Sequence, residues 1–93
     1  MYAMIRSYAA TGSVEEIVRR VEASVLPMLK AHPGFRHYWA GRSEEGVFSI
    51  SLFDTKESAE AAHEAVRGIV AANLAELLPQ APVVTRGEVL VAV

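Results

Sequence analysis

The chain has 93 residues, of which 52% are hydrophobic and 22% charged, and its formal net charge is −2. This length predicts one domain, the lack of cysteine excludes disulfides and zinc–thiolate sites, and the scattered Arg and Lys residues form no basic stripe for nucleic acid. No segment reaches the roughly 18 uncharged apolar residues of a membrane span, and no targeting segment is visible, so we expect a cytoplasmic protein.

The first strand is predicted over residues 2–9, where Tyr and Ile side chains favour β-structure. A helix then begins after Ser13, because the Ser13 hydroxyl can accept from the Glu16 N–H while the Glu16 carboxylate reaches back, as in a capping box. Apolar residues at helical spacing extend this helix over residues 14–31. Pro27 lies inside it and removes one backbone donor, which predicts a kink without an end to the helix.

Two further strands are predicted at residues 35–41 and 47–53, joined by a turn in which Gly46 can take positive φ. Side chains of a strand alternate between the two faces of its sheet. The third strand alternates clearly, so its apolar and its serine side chains point to opposite faces: Phe48, Ile50 and Leu52 against Ser49 and Ser51.

A second helix is predicted after residues 54–57, which can cap it. One face of this helix carries a set of mostly apolar residues at helical spacing, namely Ala59, Ala62, His63, Val66, Val70, Asn73, Leu74 and Leu77. A last strand is predicted over residues 87–93. The order β-α-β-β-α-β predicts a ferredoxin-like α+β domain, in which a four-stranded antiparallel sheet carries both helices on one face.

Three sequence motifs support a more specific interpretation. Between Pro33 and Pro79 the chain reads P-G-F, then a strand ending in F-D, then N-L-A-E-L-L-P. This region resembles the antibiotic-biosynthesis-monooxygenase-like family of the dimeric α/β-barrel superfamily. The resemblance implies that two sheet faces pair into a dimeric barrel and that each subunit keeps a pocket between its sheet and its helices.

The same resemblance implies two alternative functions. One is a cofactor-independent oxygenase that acts on a small aromatic or polyketide-like phenol. The other is a non-catalytic dimeric barrel that binds a small hydrophobic ligand or serves as a stress-type accessory protein. Both alternatives predict a homodimer, and the hydrophobic content independently favours one, because a chain this small hides apolar surface poorly on its own. We expect the sheet face without helices, with Ser49 and Ser51 on it, to form the interface.

Three candidate catalytic residues are Asn73, His63 and His37. The Asn73 amide, expected on the buried face of the second helix, could stabilise a developing oxyanion or could bond to nearby backbone. His63 could be a base near neutral pH or a neutral histidine within the core. His37 is expected on one strand face together with Phe35 and Trp39, where it could act as a base or lie in the dimer interface.

Three candidate substrate-binding residues are Arg6, Trp39 and Tyr8. Arg6 lies in the middle of the first strand, where a buried charge needs a partner, which could be Glu88 or a ligand carboxylate. Trp39 could stack on a flat ligand or pack between subunits. The site is expected between the sheet and the second helix. No metal or flavin is expected, because the sequence contains neither a ligand cluster nor a dinucleotide motif.

Overall fold

The computed structural model describes residues 1–93 and contains one antiparallel sheet with two helices. The strands are β1 (Tyr2–Ala9), β2 (Phe35–Arg42), β3 (Gly46–Phe53) and β4 (Val83–Glu88), in the spatial order β2-β3-β1-β4. Helix α1 spans residues 14–31 and consists of the α-helical segments Val14–Arg20 and Leu26–Ala31 around a π-helical turn, Val21–Val25. Helix α2 is Lys56–Asn73. The predicted ferredoxin-like α+β fold is therefore confirmed.

Helix α1 begins at the predicted cap. The Glu16 N–H donates to the Ser13 Oγ at 3.2 Å, as expected for an N-cap serine. The reciprocal half of the capping box is absent, because the Glu16 carboxylate accepts from Arg19 and Arg20 instead. These two hydrogen bonds lower the pKa of Glu16 to about 2.

Helix α1 continues through Pro27, as predicted. The irregularity is a π-helical turn that ends directly before the segment containing Pro27, and the Leu26 N–H donates to the Val21 carbonyl, five residues earlier. Pro27 thus stands in the first turn of a new α-helical segment, a position that tolerates a missing N–H. π-Helix is rare in proteins, and where it occurs it is mostly a single turn within an α-helix, as here.

Both helices cover the same face of the sheet. Met4 and Phe53 point from the sheet into a core that contains Val25 and Leu29 from α1 and Ala59 from α2. All five are at most 2% exposed. A second cluster joins Tyr8, Ile17, Val47, Leu74 and Leu78 at the other end of the sheet.

The sheet face without helices is mostly apolar, and the prediction that Ser49 and Ser51 lie on it was wrong. Ser49 and Ser51 are buried on the helix-covered face, because β3 pairs with β1 so that these serines lie beside the inward-pointing Arg6 and Met4. The opposite face, which we call the uncovered face, therefore carries Ala3, Ile5, Ser7, His37, Trp39, Gly41, Phe48, Ile50, Leu52, Val83, Thr85 and Gly87.

An irregularity at the start of β2 also overturns one expected grouping. A shift in register between Phe35 and His37 places Phe35 on the helix side, where its ring packs edge-to-face on Phe53 at 5.9 Å. His37 and Trp39 remain on the uncovered face and stack on each other at 5.5 Å. Phe35 and His37 do not share a face because such a bulge inserts one unpaired residue into the alternation.

Position 46 requires glycine because the backbone of β1 passes close to it, and not because its φ is positive. It is the first residue of β3, and a Cβ there would lie 2.3 Å from the Tyr8 carbonyl oxygen and 2.5 Å from the Ala10 nitrogen. The positive φ values in the chain occur at Gly12 and Gly34. The expected turn conformation at Gly46 was therefore wrong.

The last strand lies earlier than predicted. β4 is Val83–Glu88 rather than residues 87–93, because this segment pairs with β1 along Tyr2–Ser7. After it, the Val89 N–H donates to the Met1 carbonyl at 2.9 Å. The apolar residues that follow are strongly exposed, with Leu90 and Val91 each at 84%.

The core predicts one large stability effect. Leu29 is 0% exposed and belongs to the main core cluster, so Leu29→Ala is expected to lower the free energy of unfolding by about 2–5 kcal/mol through lost burial and a residual cavity. Denaturant titration measures this change. The neighbouring exposed change Lys30→Ala serves as the control and should stay within about 0.5 kcal/mol; equal effects of the two changes would contradict the assigned core.

Candidate functional site

A cavity of about 270 Å³ lies between the covered sheet face and the two helices. Fourteen of its eighteen lining residues are hydrophobic, so it suits an apolar ligand. Helix α1 contributes much of the wall through its π-helical turn, with Val21, Glu22 and Val25, while α2 contributes Val66 and Val70. The predicted location beside α2 is thus extended to α1.

Arg6 and Tyr8 line this cavity, and both were predicted to bind substrate. Inward-facing positions of β1 recur at every second residue, which brings both side chains to the covered face. Arg6 is 2% exposed and Tyr8 is 8% exposed. Ser49 reaches the same cavity from the neighbouring strand β3, and Tyr38 reaches it from β2, the next strand along.

Arg6 is held by His63 and Ser51. Its Nε donates to His63 Nδ1 at 3.1 Å, its Nη2 lies 3.0 Å from the same nitrogen, and its Nη1 donates to Ser51 Oγ at 3.4 Å. The suggestion that Glu88 is the partner of Arg6 was wrong, because Glu88 lies opposite Tyr2 at the far end of the strand pair. No carboxylate forms an ion pair with Arg6.

The two tyrosines remain protonated hydrogen-bond donors near neutral pH. Burial raises the pKa of Tyr8, and the positive charge of Arg6 opposes this shift only in part. Burial also raises the pKa of Tyr38, against the effects of Ser49 and Arg6. Two tyrosines and one arginine therefore line a mostly apolar cavity, together with Ser49 and Glu22. The two phenols and the guanidinium are a donor set suited to an oxyanion.

His63 is a buried neutral histidine. Burial lowers its pKa below the usual value of 6.5, and the charges of Arg6, Arg86 and Arg67 lower it further, whereas Glu64 raises it. Because Nδ1 accepts from Arg6, the ring proton resides on Nε2. His63 is not among the cavity-lining residues, and its Nδ1 is already occupied, so the geometry does not supply a free base at this position.

The other predicted site residues lie elsewhere. Asn73 is exposed, and its Nδ2 donates to the Ile69 carbonyl at 3.0 Å, so the expectation of a buried position was wrong. Asn73 is the last residue of α2, and its backbone carbonyl accepts a hydrogen bond from Arg20 on the outer surface. His37 and Trp39 lie on the uncovered face, on the opposite side of the sheet from the cavity. Catalytic roles for Asn73 and His37 remain untested predictions.

Sequence reasoning missed the roles of Ser49, Ser51 and Glu22. The serines alternate with apolar residues on β3, which is the usual sign of a solvent-facing set; here they belong to a polar strip beside Arg6. A buried arginine on the adjacent strand was the signal that could have assigned them to the covered face, because it requires hydrogen-bond partners. Glu22 belongs to no recognisable sequence motif, and it lines the cavity from within the π-helical turn.

The lowered pKa of His63 predicts pH-dependent stability. A histidine whose folded pKa lies below its unfolded value adds stability above about pH 6.5, and this stability is lost as the pH falls through the folded pKa. Wild type should therefore lose more free energy of unfolding between about pH 7.5 and about pH 5 than His63→Gln, which cannot titrate. Denaturant titrations at both pH values measure the difference; identical losses would contradict it.

By its structure, the protein is a ferredoxin-like α+β domain with a mostly apolar cavity that contains one cationic side chain. The sequence matches no protein-family model and no curated protein. Among solved structures, it is similar to a protein of unknown function from Nitrosomonas europaea, with 24% identity and a TM-score of 0.77 over 98% of this chain and 90% of the other.

Two further solved structures carry functional names. A candidate antibiotic biosynthesis monooxygenase from Bordetella bronchiseptica shares 12% identity and a TM-score of 0.79 over 97% of both chains. SnoaB, a cofactor-independent oxygenase from Streptomyces nogalater, shares 12% identity and a TM-score of 0.67 over 92% of this chain and 87% of its own. The predicted resemblance to monooxygenase-like proteins is thereby confirmed at the level of the fold, which alone does not assign function.

The structure bears on two other expectations. Neither helix combines the length and apolar character needed to cross a membrane. No group of three or more His, Cys, Asp or Glu residues is arranged to hold a metal ion.

Proposed function

We propose that the cavity binds a small aromatic phenol and that the protein oxidises it with molecular oxygen as a cofactor-independent oxygenase. The observation that carries this proposal is Arg6, a buried guanidinium that lines an apolar cavity and has no carboxylate partner. A buried unpaired charge is costly, and a bound phenolate would neutralise the charge of Arg6. The description of SnoaB as a cofactor-independent oxygenase supports the same reaction class.

The residues of the cavity would act on the ionisation of the substrate. Arg6 stabilises the phenolate, and Tyr8 and Tyr38 can donate hydrogen bonds to oxygen atoms that gain charge. The electron-rich phenolate transfers an electron to oxygen, and the two radicals combine to form a carbon–oxygen bond. When the attacked carbon is a CH₂ group conjugated to the phenolate, it becomes a carbonyl, and the second oxygen atom leaves as water.

Binding without turnover is the second candidate function. It is favoured by the positions of the three predicted catalytic residues: the His63 Nδ1 is occupied by Arg6, Asn73 is on the outer surface, and His37 is on the uncovered face. The cavity volume of about 270 Å³ is slightly smaller than that of typical ligand pockets, which span roughly 300–1,000 Å³. Both candidates therefore favour compact ligands.

Oxygen uptake distinguishes the two functions. Metal-stripped protein is mixed with anthrone and with one- and two-ring phenols and quinols, and oxygen consumption and ligand binding are followed together. Uptake that depends on the protein supports the oxygenase. Saturable binding without uptake supports the ligand-binding protein. Absence of both across the set of compounds would contradict a phenol site in this cavity.

The proposed assembly is a homodimer formed through the uncovered faces. Ile5, Phe48, Ile50 and Leu52 make the centre of this face apolar, and Trp39 is 51% exposed on it. Large exposed apolar patches on a small chain mark interaction surfaces. A second copy presents the same apolar surface and would also help to cover the exposed residues after β4. The cytoplasmic location expected from the sequence is part of this proposal.

A further inference from the structure

The charge of Arg6 is held in place without being neutralised. Both groups that accept its hydrogen bonds are uncharged: the Nδ1 of a neutral His63, at 3.1 Å from Nε and 3.0 Å from Nη2, and the Ser51 hydroxyl, at 3.4 Å from Nη1. Buried arginines ordinarily pair with carboxylates. Here the surrounding protein fixes the position of the guanidinium and leaves its full positive charge.

The guanidinium retains unused donors. It has five N–H bonds, and the three contacts to His63 and Ser51 engage one each on Nε, Nη1 and Nη2. One N–H on each terminal nitrogen therefore remains. Two terminal N–H groups in one plane match the two oxygens of a carboxylate or the two lone pairs of a phenolate.

Two carboxylates close to His63 in the sequence are engaged by other arginines. Glu60, three residues before His63 on α2, accepts from Arg86 at 2.8 Å. Glu64, directly after His63, accepts from Arg67 at 3.1 Å. Glu22 also lines the cavity but forms no ion pair with Arg6. None of these three carboxylates forms an ion pair with Arg6, so the positive charge of Arg6 stays available to a ligand.

We infer that the cavity selects its aromatic ligand in the anionic form, and that His63 is the positioning residue that sets this selectivity by holding Arg6 through an uncharged acceptor. This inference rests on the ligand site of the proposed function and adds the residue that makes the site selective for the anion. A carboxylate at position 63 would hold Arg6 equally well but would neutralise it. The identity of residue 63 therefore decides between a structural ion pair and an anion site.

The test uses para-nitrophenol, whose phenolate absorbs visible light and whose neutral form does not. Because hydrogen bonds to charged groups stabilise more than neutral ones, wild type should bind the phenolate about 10- to 100-fold more tightly than the phenol. The visible absorbance then shows ionisation of the bound probe at a lower pH than that of the free probe. His63→Gln keeps an uncharged acceptor and should keep this preference.

His63→Glu is the discriminating variant. It should abolish the preference for phenolate while leaving the affinity for the neutral phenol unchanged, a split that a loss of fold would not produce. Binding of both forms with equal affinity by wild type would overturn the inference and leave the ligand site intact. Equal loss of both forms in His63→Glu with a folded protein would reduce His63 to a structural role. Binding of neither form by wild type would contradict the proposed function itself.

Discussion

Arg6→Met is expected to weaken binding of a phenolate ligand at least about tenfold, because it removes the charged donors from the cavity. The same change should not reduce the stability of the protein in proportion. Removing one member of a buried ion pair is costly because the other charge is left unpaired, whereas replacing the whole pair by apolar side chains is often neutral or stabilising. Arg6 has uncharged partners, so Arg6→Met leaves no unpaired charge, and only His63 and Ser51 lose a hydrogen-bond partner. Loss of ligand affinity with retained stability is the signature of a residue kept for function.

Binding of para-nitrophenolate and thermal unfolding of the same samples measure this prediction. Arg86→Met is the matched control: Arg86 lies on the neighbouring strand, pairs with Glu60 at 2.8 Å, and does not line the cavity. The control should bind the phenolate as wild type does. Unchanged affinity in Arg6→Met, or an equal loss in both variants, would contradict the assignment of Arg6 as the anion-binding group.

The elements with strong local periodicity were predictable from the sequence. β1 was predicted with its observed bounds, and α2 begins at the predicted cap, where Thr55 accepts from the Ser58 N–H at 3.1 Å. The last strand was predicted too far along the chain, because the residues after Glu88 are more apolar than β4 itself. Strand pairing with β1 decides the outcome, and this pairing is not a property of the local sequence.

The candidate site was predictable in part for a similar reason. Arg6 and His63 were both selected as unusual polar residues, and the fold brings them into contact across 57 positions of sequence. Which face of each strand is covered by helices is a tertiary property, so Ser51 was assigned to the wrong face. One bulge likewise separated Phe35 from His37. A single residue of register exchanges the two faces of a strand.

Ile50→Asp is expected to convert the proposed dimer into monomers. Ile50 lies at the centre of the uncovered face, between Ile5 on β1 and Trp39 on β2. A pairing of two such faces would bury one carboxylate from each subunit near the other, and both desolvation and like-charge repulsion oppose this. Light scattering should give twice the 10.1 kDa chain mass for wild type and one chain mass for the variant.

The control for Ile50→Asp is a charge placed on the helical side of the protein. Ala61→Asp introduces the same charge at an exposed position of α2, away from the sheet, and should remain a dimer. A wild-type mass of one chain at micromolar concentration would contradict the dimer irrespective of how the variants behave. A dimer that persists in Ile50→Asp would place the interface on another surface. Because Ile50 lies on the uncovered face and does not line the cavity, a folded Ile50→Asp monomer should still bind the phenolate, which separates assembly from the ligand site.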